Sequence, residues 1–251
     1  MYNYYFQFAK LVLRIESTVP VVISAATKPF AAEQTQWNYQ ICVSTAVDRQ
    51  FEINGCGSLR AEGNTFYLCL DANTYETVSA MQILSYLPLG QMLFDHDMAV
   101  LHASYVLHQG EAILFSGDSG VGKSTQAALW KDRLGSKIIN GDRALIYIDD
   151  GVVYVSGWFQ SGTSGICNRG VAPVKAIVFL DQRRRNEVFP LNGVDAFKRM
   201  LCQCSYDTDN LQQVQKVTEI VARVLNDVPA YHYRCNKEPD AAEYLKTYLY
   251  G

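Results

Sequence analysis

The sequence lacks any apolar run long enough to span a membrane, and its first residues, Met1 to Phe6, carry neither a basic segment nor a small-residue cleavage site. These absences argue against a membrane-spanning chain and against a secretory signal. Seven cysteines are present, an odd number without Cys-x-x-Cys spacing, which favours reduced thiols over a disulfide framework. We therefore expect a cytoplasmic protein with no membrane partner.

A strong charge of either sign is also missing. The net charge is -3 and charged residues make up 19% of the chain, so the basic footprint of a nucleic-acid-binding protein is not visible. Hydrophobic residues make up 49%, which is typical of a globular protein. A length of 251 residues allows one large domain or two small ones, each with an ample core.

What the sequence does contain is a phosphate-binding pattern. Gly117, Gly122, Lys123 and Ser124 fit G-x-x-x-x-G-K-[ST], in which glycine-rich backbone N–H groups surround phosphate oxygens. The run 112–115 before the pattern is apolar, as in a buried strand, and 125–131 after it favours a helix. The helix would direct its unpaired N–H groups and its positive dipole end at the same phosphates. The candidate nucleotide-binding residues are Gly117, Asp118, Ser119, Gly120, Val121, Gly122, Lys123, Ser124 and Thr125.

The chain before this pattern reads as a separate small domain. We predict an α+β, β-rich domain over residues 1–95, with strands at Leu11–Ile15, Trp37–Val43 and Thr65–Leu70. A helical pattern runs from Thr77 to Leu93 and is interrupted at Pro88, where we expect the junction to lie nearby. The sequence assigns this domain no role.

The second predicted domain, residues 96–251, contains more strands than helices. The pattern predicts strands at 98–108, 137–139, 144–148, 152–155, 174–180 and 228–233, and helices at 193–204, 208–226 and 239–248. One helix after the loop is followed by several strands with little helix between them. This order predicts a mixed sheet around a P-loop and not the alternating strands and helices of a doubly wound sheet.

Three short segments carry a resemblance to a known family. Leu101-His102-Ala103-Ser104, the loop from Gly117 to Ser124, and Gly141-Asp142 resemble the kinase domain of HPr kinase/phosphorylase. That enzyme phosphorylates a serine on a sugar-transport carrier protein, and its domain is related to phosphoenolpyruvate carboxykinase. The resemblance covers Val100 to Leu180, and it implies a mixed-sheet P-loop kinase domain of the α+β or α/β class that uses ATP and Mg²⁺. Residues 1–95 do not resemble the family's N-terminal domain.

The resemblance also implies roles for individual residues. Lys123 would contact the β- and γ-phosphates, Ser124 would hold Mg²⁺, and His102 would lie near the phosphates. Asp142 matches one of two adjacent acidic residues that bind Mg²⁺ and deprotonate the acceptor. The second acidic residue aligns with Gly141, so half of the pair is missing, and Arg143 stands where the family usually has an apolar or acidic residue. The implied catalytic residues are thus Asp142, His102 and Lys123, and the implied metal ligands are Ser124 and Asp142.

Several of these residues also have an ordinary structural interpretation. His102 could be a hydrogen-bonded core histidine, and Asp142 could cap a turn at a strand end. Asp118 could contact metal or acceptor, although bracing of the loop through backbone amides is favoured slightly. His108 is interpreted as exposed.

Two segments offer a weaker functional interpretation. The hydroxyl-rich run Ser161–Gly165 could contact a substrate phosphate, but an ordinary loop is favoured. Arg183, Arg184 and Arg185 could form a docking patch, but a solvated turn is favoured.

Two functions remain open on the sequence alone. The first is a Mg²⁺-dependent kinase that transfers the γ-phosphate of ATP to a hydroxyl of a small protein, a peptide or a small metabolite. The second is a nucleotide-binding regulatory module with weak or absent transfer, which the glycine at position 141 favours. No nucleic-acid partner is expected, and the number of subunits is left open, a homo-oligomer included.

Overall fold

Two units make up the fold in the computed structural model of the chain, Met1–Met92 and Leu93–Gly251. The structure describes residues 1–33, 36–47, 53, 56–75 and 77–251. We call the two units the N-terminal unit and the C-terminal unit, and each is described by itself.

The N-terminal unit is built on a five-stranded mixed sheet. Its strands and helices are β1 (Tyr2–Phe8), β2 (Leu11–Ser17), β3 (Val21–Val22), β4 (Tyr39–Ala46), β5 (Gly57–Glu62), β6 (Thr65–Asp71), β7 (Val78–Ser79) and α1 (Ala80–Tyr86). The helix α2 (Leu89–Phe94) begins in this unit and ends in the C-terminal unit. The sheet order is β1-β2-β4-β6-β5, with parallel pairing of β2 to β4 and of β4 to β6. The three strands predicted in this region are confirmed, whereas β1 and β5 were not predicted.

One face of this sheet is apolar because side chains alternate along each strand. Leu13 and Ile15 of β2, Ile41 of β4, and Leu68 and Leu70 of β6 all point to the buried face. Their burial against the rest of the unit supplies the hydrophobic stabilisation of the sheet.

The helical stretch predicted over 77–93 is divided in the structure. Val78 and Ser79 form the short strand β7, and the Ser79 side chain then caps α1 by accepting a hydrogen bond from the backbone of Gln82. Pro88 separates α1 from α2, in agreement with the interruption predicted there.

The C-terminal unit contains eight further strands and four helices among its described elements. They are β8 (Met98–His108), β9 (Glu111–Ser116), α3 (Lys123–Leu134), β10 (Lys137–Asn140), β11 (Arg143–Asp149), β12 (Val152–Gly157), β13 (Val171–Gln182), β14 (Glu187–Pro190), α4 (Gly193–Gln203), α5 (Leu211–Asp227), β15 (Ala230–Cys235) and α6 (Asp240–Tyr250). Every strand and helix predicted for this region is present, and β14 was not predicted.

Two long strands, β8 and β13, connect the pairing of the whole unit. The first half of β8 pairs with β11, and its second half pairs with β9 and β10. The start of β13 pairs with β12, and the rest of it lies between β9 and β15, parallel to both. The sheet is therefore mixed, as the order of predicted elements suggested.

The central strands are covered on both faces. Leu114 of β9 and Phe179 of β13 face a cluster that contains α4 and α5, whereas Phe115 and Val178 face a cluster that contains α3 and α6. The strands β9 and β13 are parallel, and Ser116, the last residue of β9, pairs with Phe179, three residues before the end of β13. Both strands therefore end on the same side of the sheet. The residues after Ser116 and after Phe179 consequently meet on this side.

Two expectations about the chain as a whole can be compared with the structure. Within its described part, no helix is both long enough and apolar enough to cross a membrane. The seven cysteines all lie at described positions, and none of them forms a disulfide.

Candidate functional site

The candidate site begins at the loop between β9 and α3. Gly117, Gly120 and Gly122 adopt φ angles of 132°, 78° and 105°, which glycine reaches without the steric cost of a side chain. Gly122 is the N-cap of α3, so the loop ends directly on the helix N-terminus. Gln182, at the end of β13, donates to the Gly120 carbonyl at 3.0 Å and ties the loop to the neighbouring strand.

Lys123 folds back over this loop. Its Nζ donates to the carbonyl of Gly117 at 2.9 Å and to that of Asp118 at 3.1 Å, and its side chain is buried. Burial lowers the pKa of Lys123, and the carboxylates of Asp142 and Asp118 oppose that shift. The ammonium group is thus held at the start of the loop, close to two carboxylates.

His102 and Asp142 lie side by side beyond the loop. His102 lies on β8 and Asp142 lies between β10 and β11, and His102 Nε2 is 3.2 Å from Asp142 Oδ1. Burial, followed by the positive charge of Lys123, lowers the pKa of His102, while Asp142 raises it. The lowered pKa favours the neutral imidazole near pH 7.

A glutamine links this pair to the loop. Gln203, the last residue of α4, places its Oε1 3.2 Å from His102 Nδ1 and donates from Nε2 to Asp118 Oδ1 at 3.3 Å. The carboxylate of Asp118 is therefore bonded to a side chain from another element, and its bracing of the loop through backbone amides stays a prediction. The continuous chain of contacts runs from Asp118 through Gln203 and His102 to Asp142, and the single N–H of a neutral His102 donates to either Gln203 or Asp142.

The turn that carries Asp142 is fixed from inside the protein by Asn140. The Oδ1 of this fully buried asparagine accepts from the backbone N–H groups of Asp142 and Arg143, both at 2.9 Å. Its Nδ2 donates to the carbonyls of Trp158 and Gln160. Asn140 thus sets the position of the carboxylate without touching it.

Arg143 lies against the same carboxylate. Its Nε donates to Asp142 Oδ2 at 3.1 Å, and its Nη1 donates to Ser205 Oγ at 2.9 Å. The two carboxylate oxygens of Asp142 therefore contact different partners, His102 and Arg143.

Gly141 has no room for a side chain. A Cβ built at this position would lie 2.0 Å from Ser164 Oγ and 2.5 Å from Ser164 Cβ. The turn Gly162–Ser164 packs against Gly141 and Asp142, and Ser164 is held there by donating to the Ser161 carbonyl at 2.6 Å. The space that the resemblance reserves for a second acidic residue is occupied by this serine.

The remaining predicted residues are easily placed. Asp118, Ser119, Gly120, Ser124 and Thr125 are exposed at the mouth of the loop. Arg183, Arg184 and Arg185 are exposed beyond β13, where Arg183 pairs with Asp181.

The expectation for His108 is wrong. His108 is buried, its Nδ1 lies 2.8 Å from Ser136 Oγ, and its ring packs edge-on against Trp130. The apolar strand on which it lies was a signal for burial, since both faces of β8 are covered.

Sequence reasoning missed Asn140, Gln203 and Gln182. Uncharged amide side chains form no motif by themselves, and Gln203 and Gln182 contact residues distant in the chain. Asn140 alone carried a local signal, because it immediately precedes Gly141-Asp142 at the end of a predicted strand.

Comparisons with known proteins add little to this geometry. No family model matches the chain, and no curated protein matches it. Among solved structures, the chain is similar to the HPr(Ser) kinase/phosphatase from Coxiella burnetii, with 13% sequence identity over 59% of this chain and 86% of that chain, at a TM-score of 0.35. This is a distant structural similarity.

Proposed function

We propose that the C-terminal unit binds ATP at the Gly117–Thr125 loop and transfers its γ-phosphate to a hydroxyl group. The observation that carries the proposal is that Lys123, His102 and Asp142 lie together at one end of a glycine loop that opens a helix. Phosphoryl transfer requires positioned positive charge and an acceptor for the hydroxyl proton, and this arrangement contains both.

The loop would hold the phosphates. Backbone N–H groups at the start of α3 and along the loop are the donors that phosphate oxygens need, and the ammonium group of Lys123 reaches the β- and γ-phosphates in loops of this kind. The bonds from Lys123 to two loop carbonyls would be weakened or exchanged when phosphates arrive.

The residues present are compatible with Mg²⁺. Among the described residues, no three His, Cys, Asp or Glu side chains are grouped closely enough to form a protein-built metal site. Mg²⁺ in kinase sites keeps most of its ligands as phosphates and waters and takes one or two from protein. The exposed hydroxyl of Ser124 and the carboxylate of Asp142 are of the right chemistry for this, and a bound Mg²⁺ would supply charge neutralisation to the phosphates.

We assign Asp142 as the group that accepts the proton of the acceptor hydroxyl. The acceptor hydroxyl oxygen forms a bond to the γ-phosphorus, the bond to the bridging oxygen breaks with its electron pair leaving on ADP, and the hydroxyl proton passes to the Asp142 carboxylate. Each carboxylate oxygen has two lone-pair positions, so the bonds from His102 and Arg143 leave capacity for this proton. His102 would hold the carboxylate in place.

A second candidate function is a nucleotide-binding module with weak or absent transfer. It is favoured by the Ser164 side chain, which leaves no space for a second carboxylate at Gly141, and by Arg143, which neutralises the carboxylate that remains. For transfer to occur, the one remaining carboxylate, that of Asp142, would have to bind the metal and also accept the proton.

Two substitutions test and separate these functions. We expect Lys123→Ala to weaken ATP binding by about tenfold or more, because a charge-assisted contact to phosphate is lost. We expect Asp142→Asn to weaken ATP binding less than Lys123→Ala does and to lower the rate of transfer by about 100-fold or more. Isothermal titration with ATP and Mg²⁺ measures the first, and release of ADP with a panel of hydroxyl acceptors measures the second.

Lys131→Ala is the matched control, since Lys131 lies exposed on the same helix. ATP binding without any turnover in the unmodified protein would favour the binding module. ATP binding and turnover that are both unaffected by Lys123→Ala would contradict both functions.

A further inference from the structure

A small cavity adjoins the start of the loop. It has a volume of about 290 Å³ and lies between the loop, the end of β13 and the exposed face of α4. Its lining includes Asp118, Phe179, Lys198, Arg199, Cys202 and Gln203. Two of these residues, Asp118 and Gln203, belong to the chain of contacts that reaches His102 and Asp142.

The direction in which a nucleotide would lie follows from Lys123. Its Nζ contacts the carbonyls of Gly117 and Asp118, so the β- and γ-phosphates that this lysine reaches would lie at the start of the loop. A larger cavity of about 740 Å³ lies at the other end, lined by Gly122, Thr125 and Gln126 of the helix start. The larger cavity therefore has the place and the room for the nucleoside, and the smaller cavity lies next to the terminal phosphate.

The smaller cavity contains cations that the protein does not neutralise. Lys198 and Arg199 are exposed neighbours on α4, and no ion pair to either is found among the residues that the structure describes. The lining carboxylate, that of Asp118, accepts a hydrogen bond from the uncharged Gln203 amide and offsets one of the two positive charges, so the lining keeps a net positive charge. The nearby carboxylate of Asp181 pairs with Arg183 and His232. The positive charge at the cavity is thus available to a ligand.

We propose that this cavity binds the phosphate acceptor, and that the acceptor is an anion whose hydroxyl lies close to a carboxylate or a phosphate group. Lys198 and Arg199 bind the anionic group, and this contact places the hydroxyl at the start of the loop, where the terminal phosphate lies. The proposal rests on the proposed function. An acidic residue beside a serine or threonine in a peptide, and a small hydroxy acid, supply the same chemistry.

The experiment compares matched acceptors that differ only in charge. Serine peptides flanked by Glu are compared with the same peptides flanked by Gln, and glycerate is compared with its neutral amide, glyceramide. In the pair that matches the true acceptor, we expect kcat/KM for the charged member to exceed that for the neutral member by about tenfold or more. Preference in the peptide arm identifies a protein or peptide acceptor, and preference in the glycerate arm identifies a small hydroxy acid.

Charge reversal at the cavity locates the effect. Lys198→Glu and Arg199→Glu are each expected to raise KM for the charged acceptor by about tenfold, with kcat changed less and the affinity for ATP unchanged. Lys137→Glu makes the same charge change at the far end of β10 and is expected to leave KM unchanged.

Binding gives a second readout that does not depend on turnover. Fluorescence anisotropy of the labelled peptides, and competition by glycerate, are measured with a non-hydrolysable ATP analogue and Mg²⁺. Equal binding and equal kcat/KM for charged and neutral acceptors, or a charge reversal that acts no more than Lys137→Glu, would overturn the acceptor proposal while ATP binding stands. Failure of the proposed function is distinguishable, because then either ATP does not bind or it binds and no ADP is released with any acceptor.

Discussion

The two units bury polar side chains to very different extents. Among the described residues, Ser17 and Thr27 are the buried polar side chains of the N-terminal unit. Those of the C-terminal unit are Ser104, His108, Ser116, Lys123, Gln126, Ser136, Asn140 and Ser156. Both units are mixed sheets with apolar cores, so this contrast does not follow from fold class.

The difference concerns the hydrogen bonds that buried polar side chains make. Polar groups removed from water are costly unless they are bonded, and several of the buried ones here bond to backbone carbonyls. Ser104 donates to the Gly141 carbonyl at 2.7 Å, and Ser116 donates to the His102 carbonyl at 2.8 Å. Buried polar bonding in the C-terminal unit therefore fixes the backbone around the candidate site.

The largest effect is expected from a glycine that is closely packed in the C-terminal unit. A Cβ at Gly157 would lie 1.7 Å from the backbone carbonyl oxygen of Asn168, so Gly157→Ala must displace the backbone beside β12. We expect a loss of about 4 kcal/mol or more in the free energy of unfolding, measured by denaturant titration. The control is Gly63→Ala in the N-terminal unit, where nothing lies within 4 Å and the cost is that of a positive φ, about 1 kcal/mol. Similar losses for both would contradict the contrast in packing.

A smaller effect is expected when a buried amide is removed. Asn140→Ala leaves two backbone N–H groups and two carbonyls without the bonds that Asn140 makes, at a cost of about 3 kcal/mol. Because the turn carrying Asp142 would lose its support, the rate of transfer should fall while ATP binding persists. Asn64→Ala removes one exposed amide bond in the N-terminal unit and is expected to cost about 0.5 kcal/mol. Retention of full stability and full transfer in the Asn140 variant would show that the buried network is dispensable.

Sensitivity to acid should also differ between the units, since all four histidines lie in the C-terminal unit. Burial lowers the pKa of His108 in the folded protein, so the unfolded chain binds the proton first as pH falls. The contribution of His108 to stability is therefore fully present above its usual pKa of about 6.5. This contribution is lost as the pH falls below that value, at no more than about 1.4 kcal/mol per pH unit.

We expect His108→Asn to reduce this loss of stability, as measured by denaturant titration at a series of pH values. His96→Asn, at a half-buried position after α2, is the control for loss of a histidine. A pH dependence unchanged by His108→Asn would show that His108 titrates normally.

The smallest effect is expected where the two units are alike. Arg60 with Glu62 in the N-terminal unit and Arg133 with Glu243 in the C-terminal unit are both exposed ion pairs. Double-mutant cycles to alanine should give coupling energies below about 1 kcal/mol in each unit. A coupling energy well above about 1 kcal/mol for one pair would show that the two units also differ in their surface ion pairs.

Much of the fold could be predicted because its signals are local. The strands at Leu13, Ile41 and Leu68 alternate in hydrophobicity, and the loop residues from Gly117 to Ser124 are consecutive. The edge strands β1 and β14 were not predicted. β14 is a short strand that pairs only with β15 among the described strands, so it carries a weak pattern. His108 was misjudged because its environment depends on Trp130 and Ser136, which lie elsewhere in the chain.

By itself, the sequence determined the position of the glycine loop, the lysine within it and the mixed order of strands, because these depend on neighbouring residues and on periodicity. Only the tertiary structure decided that Gln203 joins His102 to Asp118, that Ser164 fills the space beside Gly141, and that Lys198 and Arg199 line a cavity at the loop. His102 and Gln203 are 101 positions apart. Contacts at such separations are set by how helices pack on the sheet, and no local pattern encodes them.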